Sequence, residues 1–308
     1  MKLILLSDVH LTNKRPISRK DSFPEVVFKK LEWIFQFAER EHAVILQAGD
    51  FFDFPRSWHL LNQTFSLLSD YYETLLMYVI YGQHDQYYRA DRNATMMGVL
   101  IRNERLCLLG SEPHVIDTHD DSSFFLYGCS FGDEIPVVKD PNAFNILVIH
   151  RPILMSVLYP GMTDYNYAPQ FLKTHKDYNL ILAGDIHRQF CHVSEDKRII
   201  CNAGPLVRDV SEDYMFEHQP GFYLYNTETS AIEFIVVPHA DAEEVLDAER
   251  LQKEKEKSKM FDSFISGVTE SQITFTSFTD NLTAVVKEAG VEDSVVKILS
   301  DVMEDKDE

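Results

Sequence analysis

Cysteine is scarce in this chain of 308 residues, with four in all. Cys107, Cys129, Cys191 and Cys201 lack the paired spacing of thiolate zinc modules. Such sparse use fits a reducing compartment, so free, mostly buried thiols and a cytoplasmic location are expected. Long apolar runs are missing as well. Nothing approaches the ~18 residues of a membrane-spanning helix, and Leu3-Ile4-Leu5-Leu6 is too short for the apolar region of a signal peptide. Positive charge is the third shortage: Lys and Arg number 29 against 49 Asp and Glu, a formal net charge of -20. That balance argues against a simple nucleic-acid-binding module, because such modules carry a basic patch that displaces counterions from phosphates.

What the chain does have is a series of short apolar runs, each ending in a polar motif. Leu3-Ile4-Leu5-Leu6 leads to Asp8-Val9-His10, and Val44-Ile45-Leu46 leads to Gly49-Asp50-Phe51-Phe52-Asp53. Tyr78-Val79-Ile80 precedes Gly82-Gln83-His84-Asp85, Ile146 to Ile149 precede His150, and Leu180-Ile181-Leu182 precede Gly184-Asp185-Ile186-His187. Short continuous apolar stretches are the pattern of strands buried on both faces, and side chains that follow them gather at the carboxyl edge of an α/β sheet. Helical spacing falls between the early runs. Ser22-Phe23-Pro24-Glu25 reads as a capping box with an early proline, followed by Val27, Leu31, Ile34, Phe35 and Ala38 on one face. A second helix is expected from about Trp58 to Thr74. The later chain, from Phe124 to Val148 and from Arg198 to Val237, reads as successive strands. The expected architecture is α/β, two packed mixed β-sheets flanked by helices, with the motif loops at one edge. A chain with 45% hydrophobic residues can bury one such large domain.

Composition shifts near His239, which divides the chain into a core, 1–239, and an acidic C-terminal region, 240–308. From Asp241 onward there are 8 Lys and Arg against 18 Asp and Glu, so about half of the net negative charge lies there. Thr279 can cap a helix bearing Leu282, Val285, Val286 and Ala289, Gly290 can end it, and Val295, Ile298, Leu299 and Val302 repeat the stripe. The region is therefore expected to be a small helical appendage whose apolar faces cover each other, fold back on the core or dock on a partner.

The motifs offer carboxylates, imidazoles and one side-chain amide, a donor set for hard or borderline divalent cations. A pair of such ions about 3.5–4 Å apart can clamp a phosphate and generate a hydroxide nucleophile near neutral pH. In order and wording the motifs resemble the calcineurin-like metallophosphoesterases, and within them the SbcD-type DNA nuclease subunits. The resemblance runs over roughly residues 1 to 238 and takes in Pro55 and Ser57 after the second motif, Arg188 after the last, and Asn202-Ala203-Gly204-Pro205-Leu206-Val207-Arg208.

The resemblance implies a four-layer sandwich and two divalent ions, manganese foremost with magnesium as the alternative. Asp8, His10 and His187 would hold the first ion, Asp50 would bridge, and Gln83, His150 and Asp185 would hold the second. It makes His84 the acid or charge stabiliser at the leaving oxygen, oriented by Asp85, with Asp53 steadying its neighbours and Tyr87 and Arg188 as substrate contacts. Gln83 stands where the family usually has Asn, and Asp185 where it has His. Glutamine reaches farther and aspartate less far, so the pair reads as a coupled adjustment that hardens the second position, or else as a weakened second ion. The implied activity is phosphodiester hydrolysis on DNA as the exo- or endonuclease subunit of a DNA repair and recombination complex. Its partners would be DNA, a second copy of the chain and an SbcC-like coiled-coil ATPase gripped by the C-terminal helices. A small-nucleotide phosphodiesterase or phosphatase is the alternative on the same core. A catalytically silent scaffold is another, against which the retention of His84 beside a full donor set weighs.

Overall fold

The computed structural model describes residues 1–87, 91–117, 123–158, 162–210 and 213–247, with residues 249 and 256. Two compact units divide the chain, Met1–Asp247 and Ala248–Glu308, and the elements below belong to the first. The C-terminal amphipathic helices expected near Thr279 and Val295 lie outside the described residues.

From the N-terminus run β1 (Lys2–Leu6), α1 (Phe23–Glu41), β2 (Ala43–Gln47), α2 (Trp58–Asp70), β3 (Met77–Val79), α3 (Met96–Arg102) and β4 (Cys107–Leu108). Next come β5 (His114–Asp117), β6 (Ser123–Cys129), β7 (Phe144–His150), β8 (Ile153–Leu154), β9 (Asn166–Tyr167), α4 (Ala168–Thr174) and β10 (Leu180–Gly184). The described unit closes with β11 (Phe190–Val193), β12 (Ile199–Asn202), α5 (Asp213–Glu217), β13 (Gly221–Asn226), β14 (Ala231–Val236) and α6 (Ala242–Val245).

Twelve of these strands form two six-stranded sheets, in the orders β14-β13-β1-β2-β3-β4 and β11-β12-β10-β7-β6-β5. The centre of each is parallel, β1 with β2 and β3 in one and β7 with β10 and β12 in the other, and antiparallel strands line the flanks except at β4, which pairs parallel with β3. Alternation along each strand explains why the central runs are apolar throughout. Leu3 and Leu5 of β1 join Ile146 and Val148 of β7 and Leu180 and Leu182 of β10 in a core between the sheets. Ile4 and Leu6 face the other way, into a core with Val27, Leu31 and Ile34 of α1 and Leu60 of α2. Leu147 and Ile149 pack with Phe171 and Leu172 of α4 on the outer face of the second sheet. The result is the expected sandwich of helices, sheet, sheet and helix.

Local details depart from the sequence reading in three places. Ser22 does precede α1, and Pro24 sits in the first turn, but the Ser22 side chain makes no capping hydrogen bond because its backbone is not extended. Helix α2 is capped by Ser57, whose hydroxyl accepts from the Leu60 amide at 3.3 Å, and it stops at Asp70, before Thr74. Of the free cysteines, Cys129 and Cys201 are buried, whereas Cys107 is half-buried and Cys191 exposed. Residues after His239 stay packed in this unit as far as Asp247: the Lys20 amide donates to Val245 O at 3.0 Å and the Asp247 amide to Ser18 O at 2.9 Å. Among the described residues no helix is long and apolar enough to cross a membrane.

Candidate metal centre

Every motif emerges beside its neighbours because the central strands of each sheet run in parallel. Asp8 and His10 follow β1, Asp50 follows β2, Gln83, His84 and Asp85 follow β3, His150 ends β7, and Asp185 follows β10 with His187 two residues on. Three of these residues hold left-handed backbone, with φ of 51° at His10, 51° at Asp50 and 93° at Asp185. Such conformations are uncommon for side chains other than Gly and persist where the surroundings hold them, often at functional sites. Asp50 also depends on its neighbour across the gap. A Cβ on Gly82 would press into the Asp50 carboxylate, so glycine alone lets the β3 loop lie against it.

The side chains converge in a chain of short contacts. His10 Nε2 and His187 Nε2 stand 3.0 Å apart, too close for two imidazoles that merely pack, and natural for two that share a proton or a cation. On the other flank His150 Nε2 lies 2.6 Å from Gln83 Oε1, and Gln83 Nε2 donates to Asp185 Oδ1 at 3.0 Å. The Asp185 amide donates to Asp8 Oδ1 at 3.0 Å, which ties the two flanks together. Asp50 stands between them: its Oδ2 is 4.0 Å from His10 Nε2 and 3.5 Å from His150 Nε2. His150 is fixed from behind by Ala48 O, 2.7 Å from its Nδ1.

Burial makes this cluster chemically demanding. Asp8, Asp50 and His150 are at most 1% exposed, yet Asp8 Oδ2, His10 Nδ1 and Asp50 Oδ2 have no hydrogen-bond partner among the described residues. Buried carboxylate oxygens without partners are costly, and a cation is what their geometry accommodates. Asp8, His10 and His187 each bring a ligand atom to within 4.8 Å of the others, and so do Asp8, Asp50 and His150. Asp8 is common to both trios, and His10, Asp53 and His84 form a third, so the residues present fit the binding of metal at this edge of the sheets. Without a cation, protons take up part of the buried charge. Burial pushes the Asp8 carboxyl up against the pull of His187 and His150. Burial alone would depress His150, but the Asp50 carboxylate outweighs it and raises the imidazole to about 10. His10, buried beside other imidazoles, is pushed down to about 3 and is the neutral form that a metal requires.

His84 stands at the lip, its side chain 41% exposed. Its ring Nδ1 is 2.9 Å from the Asp53 carbonyl and 3.8 Å from Asp53 Oδ1, and Asp53 Oδ1 also lies 3.8 Å from His10 Nδ1. Asp53 thus steadies both rings. The orienting contact expected of Asp85 is therefore not what this residue makes. Asp85, fully buried, accepts from the Phe51, Phe52 and Gly82 amides at 3.2, 2.8 and 2.9 Å, and so clamps the β2 and β3 loops together. Burial and the nearby Asp50 charge raise its carboxyl to about 7 against the pull of those amides.

Of the expected substrate contacts, Tyr87 is 41% exposed with the Arg56 guanidinium 4.7 Å over its ring. The Arg188 guanidinium lies 3.5 Å over the Tyr214 ring, beside a cleft that includes Leu154, Met155, Val157 and Phe190. The polar groups that brace the loops lie outside the motifs. Gln47 donates from Nε2 to Gly49 O at 2.6 Å and accepts from the Gly49 amide at 3.1 Å. Ser7 Oγ donates to Ala183 O and accepts from the Ala203 amide, each at 3.0 Å, which links the two sheets. Asn202 Nδ2 holds Ile186 O at 2.7 Å. The one available signal was a polar residue terminating an apolar run.

Comparison with known proteins bears on this geometry. A curated relative, exonuclease subunit 1 of Enterobacteria phage T4, is 26% identical over 207 residues, which cover 62% of this chain and 55% of that protein. This chain thus spans about half the length of that relative. Among solved structures, an archaeal phosphodiesterase matches 77% of this chain and 100% of its own at 15% identity and a TM-score of 0.41. A dimetal phosphatase from Danio rerio matches 78% and 97% at 11% identity and a TM-score of 0.43. Similarity so low assigns neither activity nor substrate. The family model for calcineurin-like phosphoesterases matches residues 1–189, the span that carries all five motif loops, and this chain belongs to that family.

Proposed function

We propose that this chain is a metal-dependent phosphodiesterase that cuts DNA as the nuclease subunit of a larger assembly. The observation that carries the hydrolytic reading is the overlap of two donor groups, Asp8, His10 and His187 with Asp8, Asp50 and His150, in which buried oxygens of Asp8 and Asp50 lack any partner among the described residues. The DNA reading leans on the exonuclease subunit of phage T4 as a relative.

In this proposal Asp8, His10 and His187 would hold one cation, Gln83, His150 and Asp185 would hold the other, and Asp50 would serve both. Two such cations, manganese or magnesium by the hardness of the donors, would neutralise phosphate charge and lower the pKa of the attacking water. The remaining work falls to the protein. His84, half-exposed and held by the Asp53 carbonyl, meets the leaving oxygen and gives it a proton or offsets its charge. Asp85 fixes the Gly82 and Phe51 loops so that Asp50 and His84 keep their spacing. Gln83 and Asp185 work as a coupled pair: the longer side chain reaches in and also donates to the shorter one. Tyr87 and Arg188 flank the centre as contacts for base and backbone. Manganese, a second copy of the chain, and an SbcC-like ATPase held by the C-terminal helices belong to the same proposal.

The test is hydrolysis by the purified full chain, with manganese and with chelator, of single- and double-stranded DNA, a chromogenic phosphodiester and a phosphomonoester. Manganese-dependent cleavage of DNA and of the diester is expected. Cleavage of nucleotides or the monoester with DNA untouched would refute the DNA assignment and leave a small-molecule phosphoesterase.

A further inference from the structure

The chain holds a second concentration of unusual charge, joined to the metal centre through Leu206, whose amide donates to Asp8 O at 2.8 Å and whose carbonyl accepts from Lys30. A cavity of about 350 Å³ is lined in part by Arg19, Asp21, Lys29, Lys30, Trp33 and Arg208. Four cations thus face one carboxylate, in a protein whose net charge is -20. Three of the four are buried, with Arg19 5%, Lys30 5% and Arg208 3% exposed.

Only one of the three is neutralised by its partner. Arg19 alone has a carboxylate, Asp21, and it also donates to Arg208 O at 2.9 Å. Lys30 Nζ donates to Leu206 O at 3.0 Å. Arg208 donates from Nε to His218 O at 3.0 Å and from Nη1 to Ala240 O at 2.9 Å. Carbonyl dipoles solvate a cation without cancelling its charge, and among the described residues neither Lys30 nor Arg208 enters an ion pair. Asp241 and Glu243 favour the charged form of Arg208 only from a distance. Burying cations short of counter-charge is expensive, and here it occurs around a cavity, where a ligand can supply the missing charge. The ammonium of Lys30 has three donors and uses one on Leu206. Lys29, on the exposed face of α1, adds a cation at the rim. Burial and the guanidiniums of Arg19 and Arg208 push Lys30 down to about 7 against the pull of Asp21, as expected where cations outnumber the one carboxylate.

We infer that this cavity binds a phosphate group, with Lys30 and Arg208 as the buried contacts and Lys29 at the rim. Charge-assisted bonds from lysine and arginine are the usual means of holding such an oxyanion. A volume near the lower end of the ~300–1,000 Å³ range of ligand sites suits free phosphate or a mononucleotide. The site shares no residue with the metal centre, so it stands whether or not the nuclease reading holds.

The experiment uses the full chain with manganese present. Crystals soaked in tungstate, a heavy phosphate mimic, should show a tungsten anomalous peak beside Lys30 and Arg208, apart from any peak at the metal centre. Calorimetric titration with inorganic phosphate and with a deoxynucleoside monophosphate tells the two sources apart by which binds more tightly. Lys29→Glu, an exposed change that leaves the fold alone, should weaken this binding about tenfold, and Lys30→Met should abolish it while hydrolysis of a chromogenic diester persists. Crystals with tungstate at the metal centre and none in this cavity, or phosphate titrations that superimpose for wild type and Lys29→Glu, would overturn the assignment.

Discussion

His84→Ala separates metal binding from proton transfer. The bond from this residue to the bridging carboxylate is made by its backbone amide, 2.9 Å from Asp50 Oδ1, and survives truncation of the side chain. What is lost is the imidazole, 41% exposed, with its ring hydrogen bond to the Asp53 carbonyl at 2.9 Å and its edge-to-face packing on His10. One such hydrogen bond is worth roughly 0.5–1.5 kcal/mol net, so the variant should fold and unfold within about that margin of the parent and keep its metals. Turnover should nonetheless fall by roughly 10²–10⁴-fold, the range for losing a positioned acid, which corresponds to about 2.7–5.5 kcal/mol of barrier. The assay is kcat on DNA and on a diester with an acidic phenol as leaving group, alongside metal content. If His84 gives up a proton, the acidic leaving group needs it less and the variant should lose less on that substrate. An equal loss on both would point to charge stabilisation. Wild-type turnover, or loss of the metals, would refute the role.

Further expectations follow from other residues. Asp50→Ala should abolish metal binding on both sides of the centre, because Asp50 Oδ2 lies between His10 and His150 at 4.0 and 3.5 Å; retention of either ion in calorimetry would contradict the bridge. Lys30 is held down to about 7 by burial and by Arg19 and Arg208, from an ordinary value of 10.5. Its folded form binds fewer protons than its unfolded form between those values, so its penalty is complete below about pH 7 and is relieved as pH rises towards 10.5. The difference amounts to roughly 4–5 kcal/mol across that window, and Lys30→Met should lack this rise in denaturant midpoints measured from pH 7 to 10; parallel curves for the two proteins would contradict it.

Much of this architecture is legible in the sequence because parallel strands buried on both faces must be apolar at every position. Runs such as Leu3 to Leu6 and Ile146 to Ile149 therefore stand out, and the motif residues stand out as the polar groups that end them. Strand β4 with two residues, and likewise β8 and β9, carry no period long enough to read. Nor could spacing show that Asp85 clamps two loops instead of orienting His84, since both acts need a carboxylate at the same position and only the directions of the Phe51, Phe52 and Gly82 amides tell them apart. The cavity of Lys30 and Arg208 was hidden for a similar reason. Lys30 falls on the buried stripe of α1, where a sequence pattern reads lysine as a break in the stripe, and its neighbours Arg19 and Arg208 are 189 residues apart along the chain.

The central claim is that two metal ions flank Asp50. Manganese-soaked crystals of the full chain, measured with anomalous scattering, test it most directly. Two peaks are expected, one bounded by Asp8, His10 and His187 and a second, of lower occupancy at limiting manganese, bounded by Gln83, His150 and Asp185. A single peak at saturating manganese would mean that the Gln83 and Asp185 pair has given up the second ion, and no peak at Asp50 would contradict the account as a whole.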